Sequence, residues 1–258
     1  MRVVSVVPSL TEAVAATAPG LLVGATDWCT HPADLDVERI GGTKNPDVAR
    51  IVRLRPDLVV ANEEENRAVD LDALRDAGIA VRVTRIRTLS EAFCELDSML
   101  TEGCGLGRPE WLDRAEAAWA AVPTAEAAWA AAPRAEAAGA TVPTAEAAVP
   151  AVVPIWRRPW MVLGRDTFAG DVLARLGVRN LYADHAERYP KVPLDELRTS
   201  GAELVVLPDE PYAFSAGDGP EAFPGLPSAL VSGRHLTWYG PSLVEAPAVL
   251  RGQLFSGA

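Results

Sequence analysis

The chain has 258 residues, of which 49% are hydrophobic and 23% are charged, as is typical of a soluble globular protein. A formal net charge of −11 argues against a nucleic-acid partner, because the chain lacks the excess of Lys and Arg that neutralises phosphates. No apolar run approaches the ~20 residues of a membrane span, so we do not expect a membrane-embedded protein. A chain of this length favours two lobes of about 100–150 residues over a single core.

Strand and helix patterns alternate through the first part of the chain. A buried strand is predicted at residues 3–7, and the helix that it feeds is predicted at residues 11–17. Further strands are predicted at residues 21–26, 56–61 and 80–83, and further helices at residues 45–54, 70–77 and 90–100. This alternation is typical of an α/β lobe with a parallel sheet. We assign this N-terminal lobe to residues 1–104.

The last part of the chain repeats the same plan. Strands are predicted at residues 152–156, 160–163, 180–182 and 204–207. Helices are predicted at residues 168–176, 194–198 and 243–254. We assign a second α/β lobe to residues 151–258. The expected fold class is therefore α/β, with a mostly parallel sheet in each lobe.

A ten-residue repeat separates the two lobes, within residues 105–150. Ala-Glu-Ala-Ala recurs from residues 115, 125, 135 and 145, with Pro123, Pro133 and Pro143 at equivalent places. An interior proline costs a helix about 3 kcal/mol, so one continuous helix is implausible. We interpret the repeats as a tolerated expansion, and the alternative is a partner-binding element. A bridging helix that starts near Pro109 runs into them.

Several segments carry a resemblance to a known family. They are Pro8-Ser9-Leu10-Thr11-Glu12, residues 41–47, the stretch Leu54-Arg55-Pro56-Asp57-Leu58-Val59, and the helix pattern at residues 168–177. With them the chain resembles the substrate-binding proteins of cobalamin and iron-siderophore ABC importers. The match covers the chain except roughly residues 121–150.

The resemblance implies a class III periplasmic-binding-protein fold, in which one long helix joins two lobes and the ligand lies in the cleft between them. Exported members of this family begin with a signal peptide and a lipid-anchor cysteine. Here the first predicted strand starts at Val3, with neither feature before it. We therefore expect a cytoplasmic location, with an ABC permease as partner only if the protein is exported.

Loops after the strands supply the candidate ligand-binding residues, because ligands of open α/β sheets bind beyond the carboxyl ends of the strands. The candidates before the repeats are Ser9, Thr11, Trp28, His31, Asn62 and Glu64. Those after the repeats are Trp156, Trp160, Arg165, Asp209, Glu210, Tyr212, Trp238 and Tyr239. Rigid aromatic surfaces suit a large flat ligand such as a corrin, a porphyrin or a metal chelate.

The aromatic candidates and His31 each have a second interpretation. Trp28 and Trp238 either contact the ligand or pack in the core. As ligand contacts, they should be replaceable by Ala at a much smaller cost in stability than a core tryptophan. His31 is the candidate axial ligand for a corrinoid cobalt or a haem iron, and its alternative role is to cap a turn.

The sequence thus predicts a cytoplasmic small-molecule-binding protein whose ligand is a metal-containing macrocycle or chelate. A cobalamin-like corrinoid is favoured, and haem and a ferric chelate are the other candidates. No residue is assigned as catalytic. One alternative is an enzyme on the same fold that uses Glu64 or Glu65 with His31 and Cys29. The other is an importer component whose true start lies upstream of Met1.

Overall fold

The computed structural model describes residues 1–122 and 148–255. Residues 123–147, which include Pro123, Pro133 and Pro143, lie outside the described residues, and so does the expectation attached to the repeats. The chain divides into two compact units, which are described separately below. Unit 1 comprises Met1–Glu116 and Trp238–Val244, and unit 2 comprises Ala117–Thr237 and Glu245–Ala258.

Unit 1 contains a five-stranded parallel sheet in the order β3-β2-β1-β4-β5. Its strands are β1 (Val3–Ser5), β2 (Leu22–Ala25), β3 (Glu38–Arg39), β4 (Leu58–Asn62) and β5 (Ala80–Thr84). Its helices are α1 (Pro8–Thr17), α2 (Val48–Leu54), α3 (Ala68–Asp76) and α4 (Leu89–Ser98), and a π-helical turn (Met99–Gly103) extends α4. Helix α5 (Glu110–Ala120) begins in unit 1 and ends in unit 2.

Local sequence explains where these elements begin and end. Every residue of β1 and β4 is buried, as their apolar runs require. Asp47 caps α2 by accepting a hydrogen bond from Arg50 N at 2.8 Å. Thr88 and Glu91 form a capping box at the start of α4. Gly78 follows α3 with a φ of 80°, a conformation that glycine adopts without a steric penalty.

Unit 2 contains a four-stranded parallel sheet and a separate hairpin. The sheet has the order β11-β10-β6-β9 and the hairpin pairs β7 with β8 in antiparallel orientation. Its strands are β6 (Val149–Val152), β7 (Pro154–Arg157), β8 (Trp160–Val162), β9 (Val178–Asn180), β10 (Leu204–Pro208) and β11 (Ser228–Val231). Its helices after the repeats are α6 (Phe168–Arg175), α7 (Leu194–Arg198), α8 (Gly233–Thr237) and α9 (Ala246–Phe255).

A cluster of buried side chains forms a core in unit 2. Val152, Val205 and Leu207 from the sheet pack with Val162 from the hairpin and Phe223 from the loop before β11. The half-buried rings of Trp160 and Tyr212 pack against this cluster. The hairpin is therefore fixed to the sheet by shared apolar packing as well as by chain connectivity.

The expected fold class, two α/β lobes with parallel sheets, is confirmed. Strands β3 and β11 were missing from the sequence-based elements, because each is short and lacks a long apolar run. The sequence-based boundaries also placed residues 238–244 in the C-terminal lobe, whereas the structure places them in unit 1. Gly240 approaches helix α1 so closely that a Cβ there would lie 3.1 Å from Ser9 O.

Within residues 1–122 and 148–255, no helix combines the length and the apolar character needed to cross a lipid bilayer.

Candidate ligand-binding site

The strand order of unit 1 places a topological switch point between β1 and β4. The chain leaves β1 toward β2 on one side and leaves β4 toward β5 on the other. Loops diverge at such a point, and the carboxyl ends of the two strands border a crevice where ligands of open α/β sheets bind. The loop after β1 leads into α1 and Ser9, and the loop after β4 contains Glu64.

Asn66 joins these two loops of unit 1. Its side-chain nitrogen donates to Val6 O and to Thr43 O, both at 3.0 Å, and its side-chain oxygen accepts from Asn62 N at 2.9 Å. Asn62 is itself buried, and its side chain donates to Thr84 O and Thr84 Oγ1. The two asparagines therefore hold the loop geometry at this edge of the sheet.

Ser9 and Thr11, two ligand-binding candidates of unit 1, are buried, and so is Cys29, the cysteine of the enzyme alternative. Ser9 is 4% exposed and Thr11 is fully buried. The Thr11 hydroxyl donates to Val7 O and lies 3.0 Å from Cys29 Sγ, which also lies 3.1 Å from Thr26 Oγ1. Burial raises the pKa of the Cys29 thiol. A buried thiol that resists ionisation does not suit the nucleophile of the enzyme alternative.

Trp28 has a different environment from these buried residues. It follows β2 on a loop, its side chain is 66% exposed, and its indole nitrogen lies beside Gly42, where a Cβ would be 3.4 Å away. An exposed indole offers a rigid, flat apolar surface to a ligand. The structure therefore places Trp28 on the surface and not in the core.

His31 lies on the same loop as Trp28 and contacts the segment Trp238–Val244, which belongs to unit 1 although it comes late in the sequence. Its ring meets the Trp238 ring edge-on, with centroids 5.5 Å apart, and its Nδ1 is 3.1 Å from Thr30 Oγ1. Trp238 and Tyr239 are each only 7% exposed. Burial of Trp238 corrects the expectation that its removal would be mild for stability, because a buried ring contributes fully to packing.

The glutamates after β4 have partners of their own. Glu63 forms ion pairs with Arg85 at 2.6 Å and with Arg87 at 3.2 Å. Lys44 donates to the backbone oxygen of Glu64, whose backbone nitrogen donates to Asn62 Oδ1 at 2.9 Å. Glu63 is therefore paired with two arginines, and Glu64 lies in the loop at the switch point.

Unit 2 has a corresponding switch point between β6 and β10. The chain leaves β6 toward β9 on one side and leaves β10 toward β11 on the other. Trp156 lies on β7, which continues from β6, and Tyr212 lies in the loop after β10. Their rings meet edge-on, with centroids 5.6 Å apart. Trp156 remains 42% exposed, so this aromatic pair presents a surface at the carboxyl edge of the sheet.

More aromatic rings continue this cluster toward the core of unit 2. Tyr212 packs against Phe214 at 4.6 Å between centroids, and Phe214 stacks on Trp160 at 6.1 Å. Trp160 meets Phe223 edge-on at 5.4 Å. Phe214 and Phe223 were not among the sequence-based candidates. The position of Phe214, two residues after Tyr212 beyond a buried strand, was the signal that could have identified it.

The polar candidates of unit 2 are distributed around this cluster. Tyr212 donates its hydroxyl to Asp218 Oδ2 at 2.6 Å, and Asp209 Oδ1 accepts from Gly233 N at 2.6 Å. Glu210 lies directly against Gly233, which leaves no room there for a side chain. Arg165 is exposed and pairs with its neighbour Asp166 at 3.0 Å. Asp209 thus helps to position α8, and Arg165 keeps its solvent exposure.

No cluster of three or more His, Cys, Asp or Glu side chains suited to a metal ion occurs within the described ranges. Direct coordination by His31 would therefore resemble axial ligation of a metal already held in a macrocycle. That role of His31 stays a prediction, as do the ligand contacts of the other candidates.

This chain has sequence relatives among bacterial binding proteins. No family model matches it. A vitamin B12-binding protein of Vibrio cholerae is 28% identical over 100 residues, which are 38% of this chain and 36% of that protein. An ABC transporter substrate-binding lipoprotein of Bacillus subtilis, YvrC, is 36% identical over 110 residues, 40% of this chain and 34% of the lipoprotein. The matched part thus spans about a third of each relative.

Solved structures match over almost the whole chain. The periplasmic heme-binding protein BhuT, in complex with two hemes, superposes with a TM-score of 0.76 at 21% identity, covering 98% of this chain and 97% of BhuT. The periplasmic vitamin B12-binding protein BtuF of Vibrio cholerae superposes with a TM-score of 0.70 at 18% identity, covering 98% and 96%. The chain has the class III periplasmic-binding-protein fold. The resemblance inferred from its sequence motifs is confirmed.

Within this fold, the carboxyl edge of each parallel sheet carries exposed tryptophan surface. Among the described tryptophans, Trp28 and Trp156 are exposed and the others are buried or half-buried. Each lies in a loop or hairpin beyond the carboxyl ends of a parallel sheet. Binding of an aromatic or macrocyclic ligand is the chemistry that such surfaces serve best.

Proposed function

We propose that the chain is the substrate-binding component of an ABC importer for a metal-containing macrocycle or chelate, with a cobalamin-like corrinoid favoured. The fold and the vitamin B12-binding relatives support this proposal. Haem and ferric chelates are the other ligands of the same class. An ABC permease is the corresponding partner.

The observation that carries the proposal is the exposed tryptophan beyond the carboxyl edge of each parallel sheet. Trp28 is 66% exposed and Trp156 is 42% exposed, although most large apolar side chains in each unit are buried. A solvent-exposed indole that is covered by a flat ligand releases ordered water and gains dispersion contacts. Both gains favour a ligand with a broad planar face.

The surroundings of each tryptophan are suited to a preformed site. On the loop that carries Trp28, Arg39 donates to Thr26 O at 3.0 Å and to Cys29 O at 2.9 Å. In unit 2 the ring of Trp156 meets the ring of Tyr212 edge-on. Side chains held in this way lose little further conformational freedom when a ligand binds. Affinity then follows from the contacts themselves.

A ligand titration tests the proposal. Purified protein is titrated with cyanocobalamin, hemin and a ferric catecholate chelate, and binding is followed by visible absorbance and by tryptophan fluorescence. We expect at least one ligand to bind, and Trp28→Ala to weaken its binding by about 1–3 kcal/mol, the range for stacked or hot-spot aromatics. Absence of binding by all three ligands would refute the proposal.

Val52→Ala serves as the matched control for Trp28→Ala. Val52 is also an exposed apolar residue of unit 1, at 38%, and it lies near the end of α2, just before the chain enters β4. It is therefore at the amino edge of the sheet, away from the switch point. Equal weakening by both substitutions would indicate a general surface effect instead of a ligand contact.

A second variant tests whether His31 contacts the metal of the bound ligand. His31→Ala should shift the visible spectrum of the complex if the His31 ring approaches the metal, and an unchanged spectrum removes His31 from the coordination sphere. His31 is half-buried and edge-on to Trp238, so the unliganded variant should be checked for native far-UV circular dichroism.

A further inference from the structure

Unit 2 contains an open cavity of about 540 Å³ beside the hairpin β7–β8. Its lining residues are Arg157, Arg158, Pro159, Trp160, Lys191, Val192, Pro193 and Leu194. Typical ligand pockets measure about 300–1,000 Å³, so this cavity can hold a substantial part of a small molecule. Trp160, one of the ligand-binding candidates given above, belongs to this lining.

Backbone hydrogen bonds shape this cavity. Val192 N donates to Trp160 O and Val162 N donates to Pro190 O, both at 3.1 Å. The segment around Lys191 therefore runs alongside β8 as an added strand. Arg158, at the hairpin turn, and Lys191, on this added strand, reach the same cavity from two independent parts of the chain.

The walls of the cavity are mainly apolar. Val192 and the half-buried Leu194 pack against the buried core cluster of unit 2, and Trp160 stacks on Phe214 within it. Pro159 and Pro193 add rigid apolar surface that needs no hydrogen-bond partner. The cavity therefore has a fixed apolar wall, and cationic side chains lie around it.

The three cations differ in whether they are already neutralised. Arg157 lies 5.5 Å over the Trp160 ring and forms ion pairs with Asp218 and Glu221. Arg158 and Lys191 are exposed, and neither side chain has an ion-pair or hydrogen-bond partner among the described residues. Arg157 is thus occupied, while Arg158 and Lys191 remain available to an anion.

Nearby carboxylates do not compete for these two cations. Asp195, next to Leu194, pairs with Arg198 at 3.2 Å. Glu196 accepts a hydrogen bond from the Tyr182 hydroxyl at 3.4 Å. The chain has 35 Asp and Glu against 24 Lys and Arg, and yet no carboxylate among the described residues pairs with Arg158 or Lys191. An anionic group attached to an apolar body complements this surface.

We infer that this cavity binds an anionic arm of the ligand, with Arg158 and Lys191 on the charge and the apolar wall on the body of the arm. The inference rests on the proposed function and adds the charge of the ligand to it. A phosphodiester attached to a corrinoid and a carboxylate attached to a porphyrin have the required chemistry. Arg presents paired donors to either group, and Lys adds a point charge.

The test uses ligand pairs that differ in the anionic arm. Cyanocobalamin is compared with dicyanocobinamide, which lacks the nucleotide arm and its phosphodiester. Protoporphyrin IX is compared with its dimethyl ester, which lacks both carboxylate charges. Each ligand is titrated into the wild-type chain and into the double variant R158Q/K191Q.

The matched control is R179Q/R251Q, which removes the same two charges from unit 2. Arg179 and Arg251 are exposed and, like the cavity cations, have no ion-pair or hydrogen-bond partner among the described residues. Neither lines the cavity. This control separates local recognition from the change in net charge.

We expect R158Q/K191Q to lose at least tenfold in affinity, about 1.4 kcal/mol, for the anionic member of a pair that the wild type binds. Its neutral counterpart and the control variant should change less than twofold. A loss of affinity for cyanocobalamin would identify the phosphodiester as the group bound in the cavity. A loss of affinity for protoporphyrin IX would identify the carboxylates.

Two results overturn the inference while leaving the proposed function intact. In the first, the wild type binds a macrocycle and the double variant binds it equally well. In the second, the anionic and neutral members weaken equally, so charge is not recognised. If the wild type binds none of these four compounds and binds neither hemin nor the ferric chelate, the proposed function and this inference fail together.

Discussion

Replacement of Trp28 and of Trp238 by Ala should lower stability by very different amounts, although both residues belong to unit 1. Trp238 is 7% exposed and Trp28 is 66% exposed. A tryptophan side chain buries about 150–250 Å² when fully covered, at about 25 cal/mol per Å². The two residues are of the same type and belong to the same unit, so their difference in burial is the variable under test.

The structure gives a magnitude for each variant. Trp238→Ala removes a nearly complete ring contact and leaves a cavity, so it should lower the free energy of unfolding by about 3–5 kcal/mol. The protein covers only about a third of the Trp28 surface. Removal of this side chain should therefore lower the free energy of unfolding by at most about 2 kcal/mol, or by about 1 kcal/mol once residual burial in the unfolded chain is considered.

Urea denaturation followed by far-UV circular dichroism measures these losses. With a slope of about 2 kcal/mol per M, Trp238→Ala should lower the midpoint by about 2 M and Trp28→Ala by about 0.5 M. Trp238→Phe, which keeps an aromatic edge for His31, should recover part of the loss. Equal midpoints for the two Ala variants would refute the reasoning from burial.

Three further predictions concern other parts of the chain. Cys94 is exposed, whereas burial raises the pKa of the Cys29 thiol, so Ellman's reagent at pH 8 should modify Cys94 rapidly in the native protein and Cys29 only on unfolding. The hydrogen bond from His235 lowers the pKa of Glu245, so Glu245→Gln should reduce stability above pH ~5 by less than about 1 kcal/mol. That difference should vanish as the pH falls through the lowered pKa, because protonation removes the same charge from the wild type, and denaturation curves between pH 3 and pH 7 would show it. Deletion of residues 123–132, one repeat, should leave ligand affinity within tenfold of the wild type, since doubling a loop changes its closure free energy by only about 0.6 kcal/mol.

Much of the fold could be predicted because its strands are short apolar runs followed by polar loops. Residues 56–61 were predicted as a strand, and β4 is Leu58–Asn62. The helix after Asp47 was predicted from its capping residue, and Asp47 accepts the hydrogen bond expected of that role. These features depend on local sequence, which the amino-acid pattern contains in full.

The environment of individual site residues could not be predicted in the same way. Trp28 and Trp238 both stand in polar, turn-like contexts, yet one is exposed and the other is buried by partners distant in sequence. Lys191 carried no local signal, because its proximity to Arg158 results from the pairing of residues 190–192 with β8. Tertiary pairing of this kind is absent from any single stretch of sequence.

The segment Trp238–Val244 has a consequence for how the protein is made. Unit 1 consists mostly of the first residues to leave the ribosome, but it includes seven that are synthesised more than a hundred positions after Glu116. Until they arrive, helix α1 lacks the close approach of Gly240, and His31 lacks the edge of Trp238. The nascent N-terminal unit therefore waits, incompletely packed, for almost the entire chain to be translated.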